Sequence, residues 1–169
     1  MKEKNLAVEI LKKLLAEQIS VYKRTNAVKS EKFSEMMQLA INRYINGLIT
    51  NAEVIEELLK MAKQIADGEQ PIQGLSKEET AFYDALTKPQ AVKDFYQNEE
   101  LVAMTKELTD TLRSNKTIDW QKKESARAKM RKIIKRLLKK YNYPPEGQDD
   151  ALQTVMTQCE LWTDNLMEL

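Results

Sequence analysis

The residues of this chain that could do chemistry are few, and their spacing says what they could do. Glu31 with Glu35, and Glu53 with Glu56 and Glu57, fall at helical intervals, and carboxylates paired in this way can hold magnesium. Glutamates on the solvent side of a helix are far commoner, so these groups are read as surface. The single Cys159 cannot form an internal disulfide, which fits a reducing cytoplasm. It sits among apolar positions and is read as an inert thiol. There is no histidine, so the usual general base and the commonest metal ligand are both missing. One cysteine without histidine excludes a conventional structural zinc site. None of the four glycines begins a phosphate-cradling loop. No Glu-x-Lys tripeptide occurs either, which removes the common metal-dependent nuclease arrangement. No catalytic, cofactor-binding or metal-ligating residue is therefore assigned, and a self-sufficient enzyme is not expected.

The remaining candidate is a stretch of charge. Between Trp120 and Tyr141 lie ten lysines and arginines and one glutamate, in a chain of net charge +1. On a helical wheel Ala126, Met130, Ile133, Ile134, Leu137, Leu138 and Tyr141 share one side. Burying them is worth ~1.5–3 kcal/mol for each larger side chain, whereas an exposed ion pair gives about 0–1 kcal/mol. Packing therefore decides where the helix sits. Its other face carries Lys132, Lys135, Arg136 and Lys139, with Lys129 and Arg131 at the margins. Three readings of that face stand: a solvated or internally paired surface, a surface for a partner protein, and a contact for a DNA backbone. A membrane is not expected, because the apolar side is better spent inside a helical domain. Arg127 lies at the edge of the apolar arc, where a partly buried guanidinium needs a carboxylate. It is read as half of a structural ion pair. Trp120 is read as a plug at the helix entrance.

The elements that position these groups are helical nearly throughout. A first helix is expected from about Asn5 to Arg24, with Leu6, Ile10, Leu14, Ile19, Val21 and Tyr22 on its apolar side. Ser30 has the character of an N-cap for a second helix carrying Phe33, Met36, Met37, Ala40, Ile41, Tyr44 and Ile45. Thr50 and Glu53 have capping-box spacing, opening a third helix that stops near Gly68. "DGEQPIQGLS" reads as a surface connector. Ser76 and Glu79 open a short helix through Leu86, and Pro89 suits the first turn of the next. A helix or helix pair then runs to about Ser114 with Leu101, Met104, Leu108 and Leu112 inward. Asp119 is expected to cap the basic helix over about 120–141, the tandem prolines Pro144 and Pro145 to end it, and a last helix to begin near Asp150. The expectation is an all-α fold: a compact bundle of about six to eight helices with no sheet. It forms one domain over 1–169, with 67–75 as the place of any subdivision. No run approaches the ~18 apolar residues of a membrane span, and the amino-terminal residues lack the apolar block of a secretory signal, so a cytoplasmic protein is expected.

Five blocks, in order, resemble a known family. "NLAVEILKKLL", "KFSEMMQLAINRY", "VIEELLKMAKQI", "GLSKEETAFYDAL" and "TIDWQKKESARAKMRKIIKRLLKKYNYPP" are similar to the C-terminal helical domain of type I restriction–modification R subunits, over about Asn5 to Gln158. The chain departs from the pattern at Gly47, where a longer side chain is expected, and that bears on the straightness of the second helix. The resemblance implies an excised C-terminal piece of a larger R subunit, in which a nuclease domain and two ATP-driven translocase domains lie elsewhere. ATP and magnesium would belong to that parent subunit, with no cofactor in this piece. It further implies a non-catalytic role, docking the subunit onto its methyltransferase (modification) partner in defence against foreign DNA. The alternative is a module that holds duplex DNA by its backbone through the basic face.

Overall fold

A computed structural model describes residues 2–68, 70–88, 90–115 and 120–167. The described residues form eight α-helices and one 3-10 turn, with no strand among them, so the fold is all-α. The chain divides into two compact units, one of residues 1–23 and 29–70, the other of residues 24–28 and 71–169. The positions proposed as caps or helix openers at Pro89 and Asp119 lie outside the described residues.

The first unit is built on α1 (Lys2–Thr25), α2 (Ala27–Ile45) and α3 (Asn51–Gly68). Its core joins Val8, Leu15, Ile19 and Tyr22 of α1 to Phe33, Ala40 and Ile41 of α2 and Val54, Leu58, Met61 and Ile65 of α3. The expected apolar side of α1 needs correction. Only Ile19 and Tyr22 of it are buried, while Leu6, Ile10, Leu14 and Val21 are half exposed or more. The cause is a second apolar row: Val8, Leu15, Ile19 and Tyr22 keep closer to 3.6-residue periodicity over the helix and so win the core. On α2, Ile45 of the expected stripe also lies outside. Tyr22 closes the unit by donating its hydroxyl to the Ile65 carbonyl at 2.6 Å, with its ring 5.6 Å from that of Phe33.

Ser30 lies within α2 rather than at its start. The helix ends where Gly47 takes φ +74°. There Leu48 N–H reaches the Arg43 carbonyl at 2.8 Å and Gly47 N–H the Tyr44 carbonyl at 3.1 Å, the paired bonds of a Schellman cap. Gly47 thus terminates the helix, its lack of a Cβ permitting the left-handed cap. Thr50 and Glu53 form the expected reciprocal cap of α3.

The second unit contains α4 (Lys77–Leu86), α5 (Gln90–Phe95), α6 (Asn98–Asn115), a 3-10 turn (Trp120–Lys122), α7 (Glu124–Lys140) and α8 (Pro145–Met167). Helix α4 packs on α6 and α8, and α7 packs on the same two helices. Ser76 and Glu79 make a full capping box at α4. Leu101, Met104, Leu108 and Leu112 are all buried, as are Val155, Met156, Cys159 and Trp162 of α8. Buried Thr105 and Thr109 satisfy their hydroxyls on carbonyls one turn back, at 2.7 and 2.8 Å. The segment 24–28 is fixed to this unit by Gln158, whose side-chain oxygen accepts from Ala27 N–H at 2.9 Å and whose amide donates to the Thr25 carbonyl at 2.8 Å. One side chain thereby serves the last carbonyl of α1 and the first N–H of α2, groups that helix ends leave without partners. That explains why Ser30 is not needed as a cap. Asn26 adds a bond to Asp84 at 2.8 Å.

Three boundaries differ from the sequence expectation. The basic helix begins at Glu124, with Lys123 at the N-cap position making no side-chain bond. Trp120 instead occupies the preceding 3-10 turn, wholly buried, with its indole N–H on Thr163 Oγ1 at 2.8 Å. The prolines do not terminate α7. Asn142 does, at φ 56°, with Tyr143 N–H on the Leu138 carbonyl at 2.8 Å and Asn142 N–H on Lys139 at 3.1 Å. Pro145 then opens α8, because a first helical residue needs no N–H partner.

Candidate functional site

Helix α7 is held by its apolar side. Met130, Ile134, Leu137 and Leu138 are buried, and Ala126, Ile133 and Tyr141 are partly buried against the same core. The seven residues assigned to the inner stripe therefore all face inward, and the charged side chains are left on the remaining arc.

The structure sorts those charges into two groups. Arg127, Arg131 and Lys140 meet carboxylates, whereas Lys129, also at the margin, behaves like the centre. Arg127 donates to Glu160 of α8 at 2.6 Å, with the two side chains about two-thirds buried. Arg131 reaches Glu124 of its own helix at 3.2 Å. Lys140 donates to Glu107 of α6 at 2.5 Å, and Tyr141 donates its hydroxyl to the other oxygen of the same carboxylate. Hydrogen bonds from Lys140 and then Tyr141 hold the Glu107 carboxyl below its ordinary value. The bond to Glu107, followed by burial, pushes the Tyr141 phenol up to about 12. Tyr143 is raised mainly by burial and donates to the Leu86 carbonyl at 2.7 Å. The centre of the arc is different. The side chains of Lys129, Lys132, Lys135, Arg136 and Lys139 are exposed, and among the described residues none of the five makes an ion pair or side-chain hydrogen bond.

Three of the five glutamates singled out from the sequence have named structural partners. Glu53 is in the α3 cap, Glu57 pairs with Arg43 at 3.1 Å, and Glu56 pairs with Lys60 at 3.4 Å. Among the described residues no three acidic or cysteine side chains converge as a metal site would require. Cys159 is wholly buried.

Sequence reasoning missed a second surface by assigning it to the core. Leu6, Ile10, Leu14 and Val21 are 60%, 50%, 51% and 52% exposed and lie on one side of α1, ~145° round the helix from its buried row. Beside them an open groove of about 430 Å³ is lined by Glu9, Ile10, Lys12, Lys13, Ala16 and Met37. The signal was present as two interleaved apolar rows on a helix that can bury only one in a three-helix core. Among the described residues no helix is long and apolar enough to cross a membrane.

Comparison with known proteins gives a consistent picture. The family model described as type I restriction enzyme HindI endonuclease subunit-like, C-terminal, matches residues 1–165. The type I restriction enzyme HindI endonuclease subunit of Haemophilus influenzae is 40% identical over 170 residues, covering 98% of this chain and 16% of that protein. A protein of Methanocaldococcus jannaschii described as a type I restriction enzyme MjaIXP endonuclease subunit is 34% identical over 140 residues, covering 81% of this chain and 13% of its own length. The chain thus spans about one sixth or less of these relatives. No solved structure matches it. By the extent of the family match and the identity along nearly its whole length, the chain belongs to the family of C-terminal domains of HindI-like type I restriction endonuclease subunits.

Proposed function

We propose that this chain is a non-catalytic docking module that fastens a type I restriction endonuclease subunit to its methyltransferase (modification) subunit. In this reading nuclease and ATP-driven motor activities, with ATP and magnesium, belong to other parts of the subunit, and the complex works in the cytoplasm. A non-catalytic role is supported by a sequence without histidine, phosphate-binding loop or Glu-x-Lys. The names of the relatives support membership of a multi-subunit restriction complex.

The observation that carries the docking role is the α1 row. Isolated exposed leucines are normal on protein surfaces. Four large aliphatic side chains aligned on one helix face, each at least half exposed, form the kind of contiguous patch that marks a protein contact. An apolar partner surface would remove their exposed halves from water, at about half of the ~1.5–3 kcal/mol that full burial of each side chain is worth.

The test is assembly. The endonuclease subunit containing this chain is co-purified with its methyltransferase subunits, as wild type and with Ile10→Asp plus Leu14→Asp. Both positions are exposed, so the fold should be kept and the thermal midpoint unchanged. Affinity should fall at least a hundredfold. Assembly equal to wild type with the correctly folded variant defeats the proposal.

A further inference from the structure

We propose that the α7 face formed by Lys129, Lys132, Lys135, Arg136 and Lys139 binds the phosphate backbone of duplex DNA without reading its sequence. The five cations fall within an arc of ~120° and span ~15 Å along the helix axis. A duplex carries about one negative charge per ~1.7 Å of its axis, so that length presents more phosphates than the face has cations.

The arrangement of counter-charges makes the face specific to this part of the helix. The described carboxylates that pair with α7 cations are all at its margins: Glu160 on Arg127, Glu124 on Arg131 and Glu107 on Lys140. The five central side chains have no such partner among the described residues. Like charges three and four residues apart on a helix repel by a few tenths of a kcal/mol per pair, and a bound polyanion would turn that repulsion into attraction. Their backbone is fixed by the buried Met130, Ile134, Leu137 and Leu138, so the charges are presented without a folding step.

Composition separates a nucleic acid from an acidic protein as the occupant. Only Ser125 and Ala128 share the arc with the cations. No aromatic or large aliphatic side chain interrupts it. Protein interfaces draw most of their affinity from such anchors and are depleted in lysine, whereas phosphates need only flexible cations. Sequence readout in the major groove commonly uses asparagine or glutamine on base edges. The arc has neither, and only one arginine, Arg136, to fork onto a guanine edge; four of its five cations are lysines, point charges suited to phosphate, so contact with the backbone is the fitting mode.

The inference stands independently of the docking role, which rests on α1, and its test uses the 169-residue chain without any methyltransferase. A fluorescein-labelled 20-base-pair duplex of arbitrary sequence is titrated with the protein and followed by anisotropy at several salt concentrations. If all five cations engage, log Kd should rise with log salt at a slope of ~4.5, or about 0.9 per phosphate contacted. Between 50 and 200 mM salt that is a ~500-fold weakening. A second, unrelated duplex should bind equally. Lys135→Ala plus Lys139→Ala should reduce the slope by ~1.8 and weaken binding by roughly tenfold per removed contact at 50 mM salt. Lys12→Ala plus Lys13→Ala, on α1, should leave it unchanged. Absence of binding at 50 mM salt overturns the proposal, and so does binding that the Lys135 and Lys139 substitutions leave intact. Tighter binding of a poly-glutamate chain of matched charge also overturns it, by assigning the face to an acidic protein. The wild-type salt slope needs no variant to fold, so each outcome decides.

Discussion

Replacing Gln158 with methionine tests how much of the hold on the α1–α2 junction comes from its side-chain amide. The side chain is 2% exposed and makes two bonds, accepting from Ala27 N–H at 2.9 Å and donating to the Thr25 carbonyl at 2.8 Å. Methionine has nearly the same volume, so no large cavity forms and the loss is confined to the two backbone groups. Each buried group left without a partner costs ~1–3 kcal/mol. Allowing one of them to find partial compensation, the whole loss is ~2–4 kcal/mol. For a chain of this size a urea dependence of ~2 kcal/mol per molar converts that into a midpoint lower by ~1–2 M. Both tryptophans, Trp120 and Trp162, belong to the second unit, so tryptophan fluorescence reads that unit without interference from the first. Amide exchange gives the local readout, because Ala27 N–H should lose its protection by ~30- to 700-fold. Gln158→Glu keeps an acceptor for Ala27 but buries a carboxylate against the Thr25 carbonyl, so at neutral pH it should destabilise at least as much as methionine. A midpoint shift below ~0.3 M at unchanged urea dependence, with Ala27 still protected, would refute the idea that this side chain serves both helix ends.

Further outcomes follow from the packing of the second unit. Leu137, 5% exposed, should cost ~2–5 kcal/mol when truncated to alanine, read from the same fluorescence titration; a near-neutral result would place the α7 stripe outside the core. Glu107 has a carboxyl held below its ordinary value of 4.5 by Lys140 and Tyr141. Its contribution is therefore complete above that value and is lost as pH falls through the lowered one. Tyr141, raised from 10.0 to about 12, contributes below pH 10 and loses that contribution as pH rises through about 12. Glu107→Gln should flatten both limbs of a stability profile, and an unchanged profile would dissociate the trio from stability. Cys159, wholly buried, should react with an aromatic disulfide reagent at least a hundredfold more slowly in the folded protein than in urea; equal rates would show it to be accessible.

What could be read in advance depended on whether periodicity had a competitor. Helix α7 has one apolar row and an otherwise charged surface, so its inward face followed from spacing alone. The caps at Thr50 and Ser76 were legible because a capping box is a local contact between residues three apart. Helix α1 has two apolar rows, and the choice between them is made by α2 and α3, which the local sequence does not contain. The same is true of Ser30, displaced as a cap by Gln158 from 128 positions along the chain. Asn142 ends α7 as a left-handed residue, a stop masked in the sequence by the proline two positions later. Ion pairing on α7 was likewise open from sequence, because Glu107 and Glu160 approach it only through packing.

The two candidate surfaces differ in the force that would hold a partner, and salt separates them. Leu6, Ile10, Leu14 and Val21 offer apolar area, and burial of apolar area does not depend on counterion release. The central cations of α7 offer charge and no apolar anchor, so attraction through them falls steeply as salt rises. In a complex using both, raising salt from 50 to 200 mM should release duplex while the methyltransferase subunit stays attached. Substitutions on α1 should detach the subunit at either concentration. If salt instead releases the methyltransferase subunit and leaves the duplex bound, the roles assigned to the two faces are reversed, since cations are then holding the protein and the aliphatic row is not.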